Sequence, residues 1–251
     1  MNNKIGLCGA SGRMGTAILS IINLFPKLQI SGIFPKKVRN NDDLEQLCLG
    51  SDIVVDFSSP QVLPPLLEYA TKFGNKLVIG TTGFNEQHLA LIKQASKKIA
   101  VFYSANMSIG ISLLSYLAGN IAQNLDENYD IDIIDTHHQY KKDQPSGTAL
   151  MLQKAIELRF DAKLANTASS NKEQPQQHPG AKNLVNISSI RSGNIIGEHE
   201  IIFASIDEII TIKHQALDRD LFAKGALRAA MWMRNQHEPG FYSISDMLKF
   251  K

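Results

Sequence analysis

Short, nearly continuous apolar runs alternate with amphipathic stretches along the first hundred or so residues. "KIGLCG" predicts a buried strand and "RMGTAILSIINLF" a helix ended by Pro26, with further strands at "LQISGIF" and "DIVVDF". A helical pattern through "PPLLEYATKFG" precedes two more strands, "KLVIGTTG" and "IAVFYSA", which flank the helix "NEQHLALIKQASKK". Strands that are apolar on both faces, separated by stretches of helical period, predict a parallel sheet covered on both sides.

After Asn106 the rhythm changes. A long helix, "GISLLSYLAGNIAQNL", leads into the alternating strand "YDIDIIDTHH", and "SGTALMLQKAIELRF" predicts another helix. Residues 161–182 are polar and contain both proline and glycine, which predicts a mobile surface loop. Three strands follow, "NLVNISSIR", "GEHEIIFAS" and "EIITIKHQA", whose short connections predict an antiparallel meander. The pattern ends in the helix "RDLFAKGALRAAMWM" and a short tail.

Composition changes this picture little. The chain has 251 residues, 43% hydrophobic and 20% charged, enough for one large or two modest domains. A net charge of +2 offers no basic surface for nucleic acid. Cys8 and Cys48 can build neither a disulfide framework nor a four-ligand zinc site. No secretory leader is visible in "MNNKIGLCGASG", and no apolar run approaches the ~18 residues that span a bilayer. The expectation is a soluble cytoplasmic protein with neither a membrane nor a nucleic-acid partner.

Candidate chemistry begins at "GLCGASGRMG", where Gly6, Gly9, Gly12 and Gly15 are spaced three apart between the first strand and the first helix. Glycine permits positive φ and close approach of the backbone to a pyrophosphate, and the helix start supplies free N–H groups. The spacing is G-x-x-G-x-x-G rather than the usual G-x-G-x-x-G, so a tight turn without a ligand stays open. Gly80-Thr81-Thr82-Gly83 ends a strand on the same sheet edge and offers N–H and hydroxyl groups to a nicotinamide or ribose.

The second candidate is "HHQYKKDQPSGTAL", which crowds His137, His138, Lys141 and Lys142 ahead of a helix start. Adjacent histidines on a strand point to opposite faces and are poor evidence for a metal. Ser146, Gly147 and Thr148 can present hydroxyl and N–H groups at the first turn of the next helix. Faced by Lys141 and a histidine, that turn makes a carboxylate socket, each charge-assisted bond contributing ~1.5–3 kcal/mol. A solvated loop is the bland alternative.

These segments, with "VVDFSSP", "SANMSIGI", "IRSGNIIGEHEIIF" and "ALDRDLFAKGALRAAMW", resemble the 4-hydroxy-tetrahydrodipicolinate reductase (dihydrodipicolinate reductase) family over nearly the whole chain. "HHQYKKDQPSGTA" fits that family's H-H-x-x-K-x-D-x-P-S-G-T-A signature. The resemblance implies an α/β protein: a Rossmann-type dinucleotide-binding domain from residues 1–108 and 219–251, completed by the C-terminal helices. It also implies a central α/β domain, residues 109–218, whose open mixed sheet assembles a homotetramer. The implied reaction is NAD(P)H-dependent reduction of 4-hydroxy-tetrahydrodipicolinate to tetrahydrodipicolinate, with loss of water, in diaminopimelate and lysine synthesis. His137 matches the general acid/base position, Lys141 the proton donor and His138 a substrate ligand, while Gly147 and Thr148 hold a substrate carboxylate. Gly9, Ala10, Ser11, Gly12, Arg13 and Met14, then Gly80, Thr81 and Thr82, then Ser104, Ala105, Asn106 and Met107, match the cofactor contacts. Two rivals stay open: a nicotinamide oxidoreductase acting on sugars or amino acids, and a dinucleotide sensor without the chemistry.

Cofactor choice is read at the end of the second strand, where an acid bonds the ribose of NADH and a base accepts the 2′-phosphate of NADPH. Many members of the family carry an acid followed by arginine there. This chain has Pro35, Lys36 and Lys37, with Arg39 close behind and no carboxylate before Asp42. Unless this is a solvated loop, Lys36 contacts the 2′-phosphate, NADPH is preferred and NADH is the second cofactor.

Overall fold

The computed structural model describes residues 3–35, 41–126, 128–167 and 185–250, and the side chains of Asn41 and of helical residues 160–167 are left aside. The chain forms two compact units, Met1–Ile109 with Arg219–Lys251, and Gly110–Asp218.

In the first unit, β1 (Asn3–Cys8) leads through the glycine turn into α1 (Arg13–Ile21), and β2 (Leu28–Phe34) into α2 (Asn41–Leu49). Next come β3 (Ile53–Asp56), α3 (Leu63–Phe73), β4 (Lys76–Ile79), α4 (Glu86–Ala95) and β5 (Ala100–Tyr103). The second unit holds α5 (Ile109–Asn124, entering from the first unit), β6 (Asp130–His137), α6 (Gly147–Thr167), β7 (Asn186–Arg191), β8 (Glu198–Ala204) and β9 (Ile209–Gln215). The chain then returns to the first unit with α7 (Asp220–Met233), β10 (Gly240–Tyr242) and α8 (Ile244–Leu248).

The first sheet is parallel, in the order β10-β5-β4-β3-β1-β2. The central strands β3, β4 and β5 have no polar face because each side carries its own core. Ile5, Leu7, Ile53, Val55, Val78 and Phe102 pack on one side with residues of α1 and α7. Cys8, Val54, Leu77, Ile79 and Val101 pack on the other with residues of α2, α3 and α4. Alternation of period two thus sends neighbouring residues to opposite cores, which is why these segments read as unbroken apolar runs. The order reverses between β1 and β3, and the crevice outside the carboxyl ends of such strands is where ligands bind in open α/β sheets. α2 and β10 were not among the predicted elements. β10 pairs parallel with β5, so the C-terminal segment contributes a strand as well as helices to this sheet.

The second sheet is mixed, in the order β7-β6-β8-β9. The expected meander is corrected: β7 pairs parallel with β6, β8 lies on the other side of β6, and only β8 and β9 form an antiparallel hairpin. Insertion of β6 between them satisfies the ladder bonds of both neighbours. The helix expected to end at Phe160 runs on to Thr167, so residues 161–167 are helical rather than loop, while 168–182 lie outside the described residues. One face of the sheet is core, where Ile131, Ile133, Ile201 and Phe203 pack against Leu114, Ala118, Leu152 and Ile156 of α5 and α6. A Cβ on Gly119 of α5 would come 3.1 Å from the Ala155 carbonyl, so that glycine sets how closely the helices approach.

Candidate active site

The glycine turn of the first unit is shaped by contacts that a side chain would destroy. Gly9 has φ +79°, and a Cβ there would lie 2.3 Å from the Phe57 carbonyl oxygen, while one on Gly15 would lie 2.4 Å from the Gly9 carbonyl oxygen. Gly12 caps α1 in extended conformation without a side-chain acceptor, and the first turn holds no acid. The turn therefore offers an anion backbone N–H groups at a helix start, uncontested by a carboxylate. Ala10 is buried, Met14 is half-buried and Ser11 and Arg13 are exposed.

The loops after β3, β4 and β5 share this carboxyl edge. The buried Asp56 at the end of β3 accepts from Ser58 N (3.2 Å) and Ser58 Oγ (2.5 Å) on one oxygen and from Thr81 Oγ1 (2.6 Å) on the other. Burial pushes this carboxyl up, against the lowering effect of the Ser58 and Thr81 hydrogen bonds. The Thr81 hydroxyl is thus committed inward, while Thr82 is exposed. Gly80 is held against Phe57, whose ring would be 2.2 Å from a Cβ. Ser104 donates to the Asn106 carbonyl (2.6 Å), Ser108 N donates to Asn106 Oδ1 (2.9 Å), Ala105 is exposed and Met107 is buried. Beneath this loop lies Gly225 of α7, where a Cβ would be 1.8 Å from the Met107 carbonyl oxygen. These residues fit a dinucleotide: a left-handed glycine, an uncapped helix start and short turns of glycine and small polar residues. Lys36 lies outside the described residues.

In the second unit the core face of β6 changes character along its length. Ile131 and Ile133 are followed in the same phase by Asp135 and His137, paired across with His199 of β8 and with Ser189 and Arg191 of β7. Asp135 is fully buried. Its Oδ2 accepts from Ser146 N (2.9 Å), Arg191 Nη2 (3.0 Å) and Ser189 Oγ (3.2 Å). Its Oδ1 lies 2.9 Å from His137 Nδ1 and 3.4 Å from His199 Nε2, with no donor squarely aligned on it. Burial would push this carboxyl up, but the close histidines and the Ser146 hydrogen bond outweigh it and hold it well below the usual carboxylate range. Asp135, His137 and His199 offer ligand-type atoms within 4.8 Å of one another. The Arg191 guanidinium on the same carboxylate already supplies the countercharge, so the cluster reads as an ion-pair network.

The strand ends at His137, so the half-buried His138 belongs to the loop beyond it and is released from facing the opposite side. Lys141 N donates to the His138 carbonyl (3.1 Å), folding that loop, and Lys141 Nζ lies 2.7 Å from Asp143 Oδ2. Arg191 Nη2 also donates to the Asp143 carbonyl (2.6 Å), tying the loop to the end of β7. The buried Ser146 caps α6: its Oγ accepts from Ala149 N (3.1 Å) and meets His199 Nε2 at 3.2 Å. Its hydroxyl is therefore engaged inward. Gly147 opens α6, with open space for 4 Å around the point where a Cβ would stand, next to the half-buried Thr148. The structure so brings His137, His138, Lys141, Ser146, Gly147 and Thr148 to one end of one sheet.

Asp135, Asp143, Arg191 and His199 were not singled out from sequence. Asp135 had a readable signal, a carboxylate in the buried phase of an alternating strand. Arg191 and His199 are brought in from 54 and 62 positions beyond His137 in the chain, counted from its numbering, and no local pattern marks them.

Comparison with known proteins decides what this arrangement belongs to. Residues 3–107 match the family model "Dihydrodipicolinate reductase, N-terminus" and residues 110–248 match "Dihydrodipicolinate reductase, C-terminus". This chain belongs to the dihydrodipicolinate reductase family. It is 44% identical over 250 residues to the 4-hydroxy-tetrahydrodipicolinate reductase of Rickettsia rickettsii (strain Sheila Smith), covering 98% of this chain and 99% of that one. The Rickettsia bellii (strain OSU 85-389) protein of the same name is 43% identical over 246 residues, covering 98% and 94%. A solved structure of similar fold is the dipicolinate-bound dihydrodipicolinate reductase from Paenisporosarcina sp. TG-14, with a TM-score of 0.76, 20% identity and 99% and 100% coverage. Membership sets aside the reading as a sugar or amino-acid oxidoreductase. Members of the dihydrodipicolinate reductase family are NAD(P)H-dependent oxidoreductases, and the Rossmann-type first unit and mixed-sheet second unit have that family's architecture.

Proposed function

We propose that this chain reduces 4-hydroxy-tetrahydrodipicolinate to tetrahydrodipicolinate, with loss of water, using NADPH in preference to NADH. The observation that carries the reading is the meeting of His137, Lys141 and the start of α6 at one end of the second sheet, in a chain matched to the dihydrodipicolinate reductase family across both units. The nicotinamide cofactor supplies a hydride. The glycine turn at Gly9 to Met14 holds its diphosphate, and the loops at Gly80 to Thr82 and Ser104 to Met107 position the rest. Gly147 and Thr148 N–H groups at the head of α6 bind one carboxylate of a dicarboxylate substrate, and His138 assists. Reduction of a conjugated imine places electron density on nitrogen, and the Lys141 ammonium supplies the proton there. His137 acts as the acid/base partner, help of this kind being worth ~10²–10⁴-fold.

A homotetramer formed through the open face of the second sheet, and a cytoplasmic location, complete the proposal. That face carries Ile134, Ile190 and Ile202 on three adjacent strands, two half-buried and Ile190 exposed. Among the described residues no helix is long and apolar enough to cross a membrane.

The test is a coupled assay that generates substrate from pyruvate and aspartate semialdehyde with the upstream synthase while following the absorbance of reduced cofactor. Substrate-dependent cofactor oxidation, inhibited by pyridine-2,6-dicarboxylate, is expected; its absence would overturn the reading. Lys141→Ala should lower turnover by roughly 10²-fold or more with an unchanged melting temperature. A variant within about threefold of wild type would remove Lys141 from the mechanism.

A further inference from the structure

We infer that Asp135 is a positioning residue for His137: it holds the imidazole through Nδ1 in the tautomer that leaves Nε2 as the working nitrogen. The inference deepens the proposed reaction and rests on it. Four observations carry it. First, the two oxygens of Asp135 have different surroundings. Oδ2 takes three directed donors, Ser146 N, Ser189 Oγ and Arg191 Nη2, whereas Oδ1 is left facing His137 Nδ1 at 2.9 Å and His199 Nε2 at 3.4 Å. Second, His137 Nδ1 is itself buried and without another partner. A proton on that nitrogen has one acceptor within reach, and a nitrogen without a proton would set two lone pairs against each other across 2.9 Å.

Third, the carboxylate is kept as an anion by the clamp behind it. Arg191 is nine-tenths buried, contacts Asp135 Oδ2 and the Asp135 carbonyl (3.0 Å each), and reaches the Asp143 carbonyl in the loop that carries Lys141. Separating the partners of a buried ion pair leaves an uncompensated charge, so this clamp resists opening. Fourth, room has been left on the other edge of the ring: a Cβ at Gly197 would fall 3.0 Å from His137 Nε2 and 3.3 Å from Cδ2. The ring thus meets the carboxylate at Nδ1, and a glycine rather than a side chain stands beside Nε2. His199, its ring 5.2 Å away and edge-on, is engaged by Ser146 Oγ through Nε2, which makes His137 rather than His199 the partner of Oδ1.

Two measurements test this. In 15N-histidine-labelled wild-type protein, the proton of the neutral His137 ring should reside on Nδ1. A proton on Nε2 would overturn the inference, and this result does not depend on any variant folding. Asp135→Asn keeps the size of the side chain but presents an amide to Nδ1, and should lower kcat by roughly 10- to 100-fold with substrate KM changed by less than about threefold. Added to His137→Ala, the same substitution should lower kcat by less than a further threefold or so, because it acts through the ring already removed. Losses that multiply in the double variant would mean Asp135 supports the fold and not His137. Wild-type protein that oxidises no cofactor in the coupled assay would instead refute the proposed reaction, while the tautomer measurement would still judge Asp135.

Discussion

Two buried carboxylates, Asp56 and Asp135, show how the same side chain is put to opposite use. Asp56 meets only neutral donors, Ser58 and Thr81, and burial raises its carboxyl above the ordinary value despite them. Asp135 meets two imidazoles on one oxygen and Ser146 with a guanidinium on the other, and the imidazoles and Ser146 drive it well below that value in spite of its burial. Their linkage to pH is therefore opposite in sign. For Asp135, near and below the unfolded carboxyl value of ~3.9 the unfolded chain binds a proton that the folded chain does not, so stability rises with pH there. Its contribution is complete above that value and is lost as pH falls beneath it. For Asp56 the folded chain binds the extra proton, and its contribution is lost as pH rises through the raised value. Urea unfolding from about pH 5 down to about pH 2 should accordingly show a shallower acid loss in Asp135→Asn than in wild type. An unchanged acid limb would mean that Asp135 is not held as a paired anion.

At the level of elements, the most exacting contact is between α7 and the loop after β5. Gly225 lies in the buried face of α7, and a Cβ there would overlap the Met107 carbonyl at 1.8 Å. Gly225→Ala must therefore push the helix and the loop apart. Overpacking of this kind costs about 1–3 kcal/mol, and the displaced Ser104–Met107 loop should raise the cofactor KM; equal stability and KM would show that the loop yields freely. This contact was illegible in sequence, because "FAKGAL" gives a glycine no sign of what lies above it. Elements with strong local patterns were legible: β1, β3, β4 and β5 as apolar runs, and the α1 and α6 starts from Gly12 and Ser146. α2 was not, since "NDDLEQLCL" is short and nearly balanced between polar and apolar. β10 was missed because three residues gain strand character only by pairing with β5. The order of the second sheet was also beyond reach. Short turns favour hairpins, but whether β7 pairs with β8 or across β6 is decided by long-range packing. The site was legible where it is contiguous, in His137 to Thr148, and illegible where β7 and β8 supply Arg191 and His199.

At the scale of the whole molecule, two expectations concern what the chain meets. On the open face of the second sheet, Lys213 pairs with Glu198 and Glu200 between the isoleucines, so the face is neither plainly soluble nor plainly core. Pairing with copies of the same face would bury those isoleucines and leave the charges to match each other. Light scattering at micromolar concentration should give a tetramer, and a monomer would refute the assembly. The other expectation is the choice of nicotinamide. The end of β2 is physically joined to the glycine turn, because the Phe34 carbonyl accepts from both Gly9 N (2.9 Å) and Ala10 N (3.0 Å). In the sequence Pro35, Lys36 and Lys37 follow this strand, with no carboxylate before Asp42, and the end of the second strand is where a dinucleotide fold reads the adenosine ribose. An ammonium there bonds a 2′-phosphate and gains nothing from a 2′-hydroxyl. One charge-assisted contact of ~1.5–3 kcal/mol corresponds to roughly 10- to 150-fold in affinity. The ratio of kcat/KM for NADPH over NADH should be of that order at low salt, fall with ionic strength as an exposed contact is screened, and shrink in Lys36→Ala. Equal or higher efficiency with NADH in the wild type would sink the assignment. A preference that survives Lys36→Ala intact would transfer it to Lys37 or Arg39.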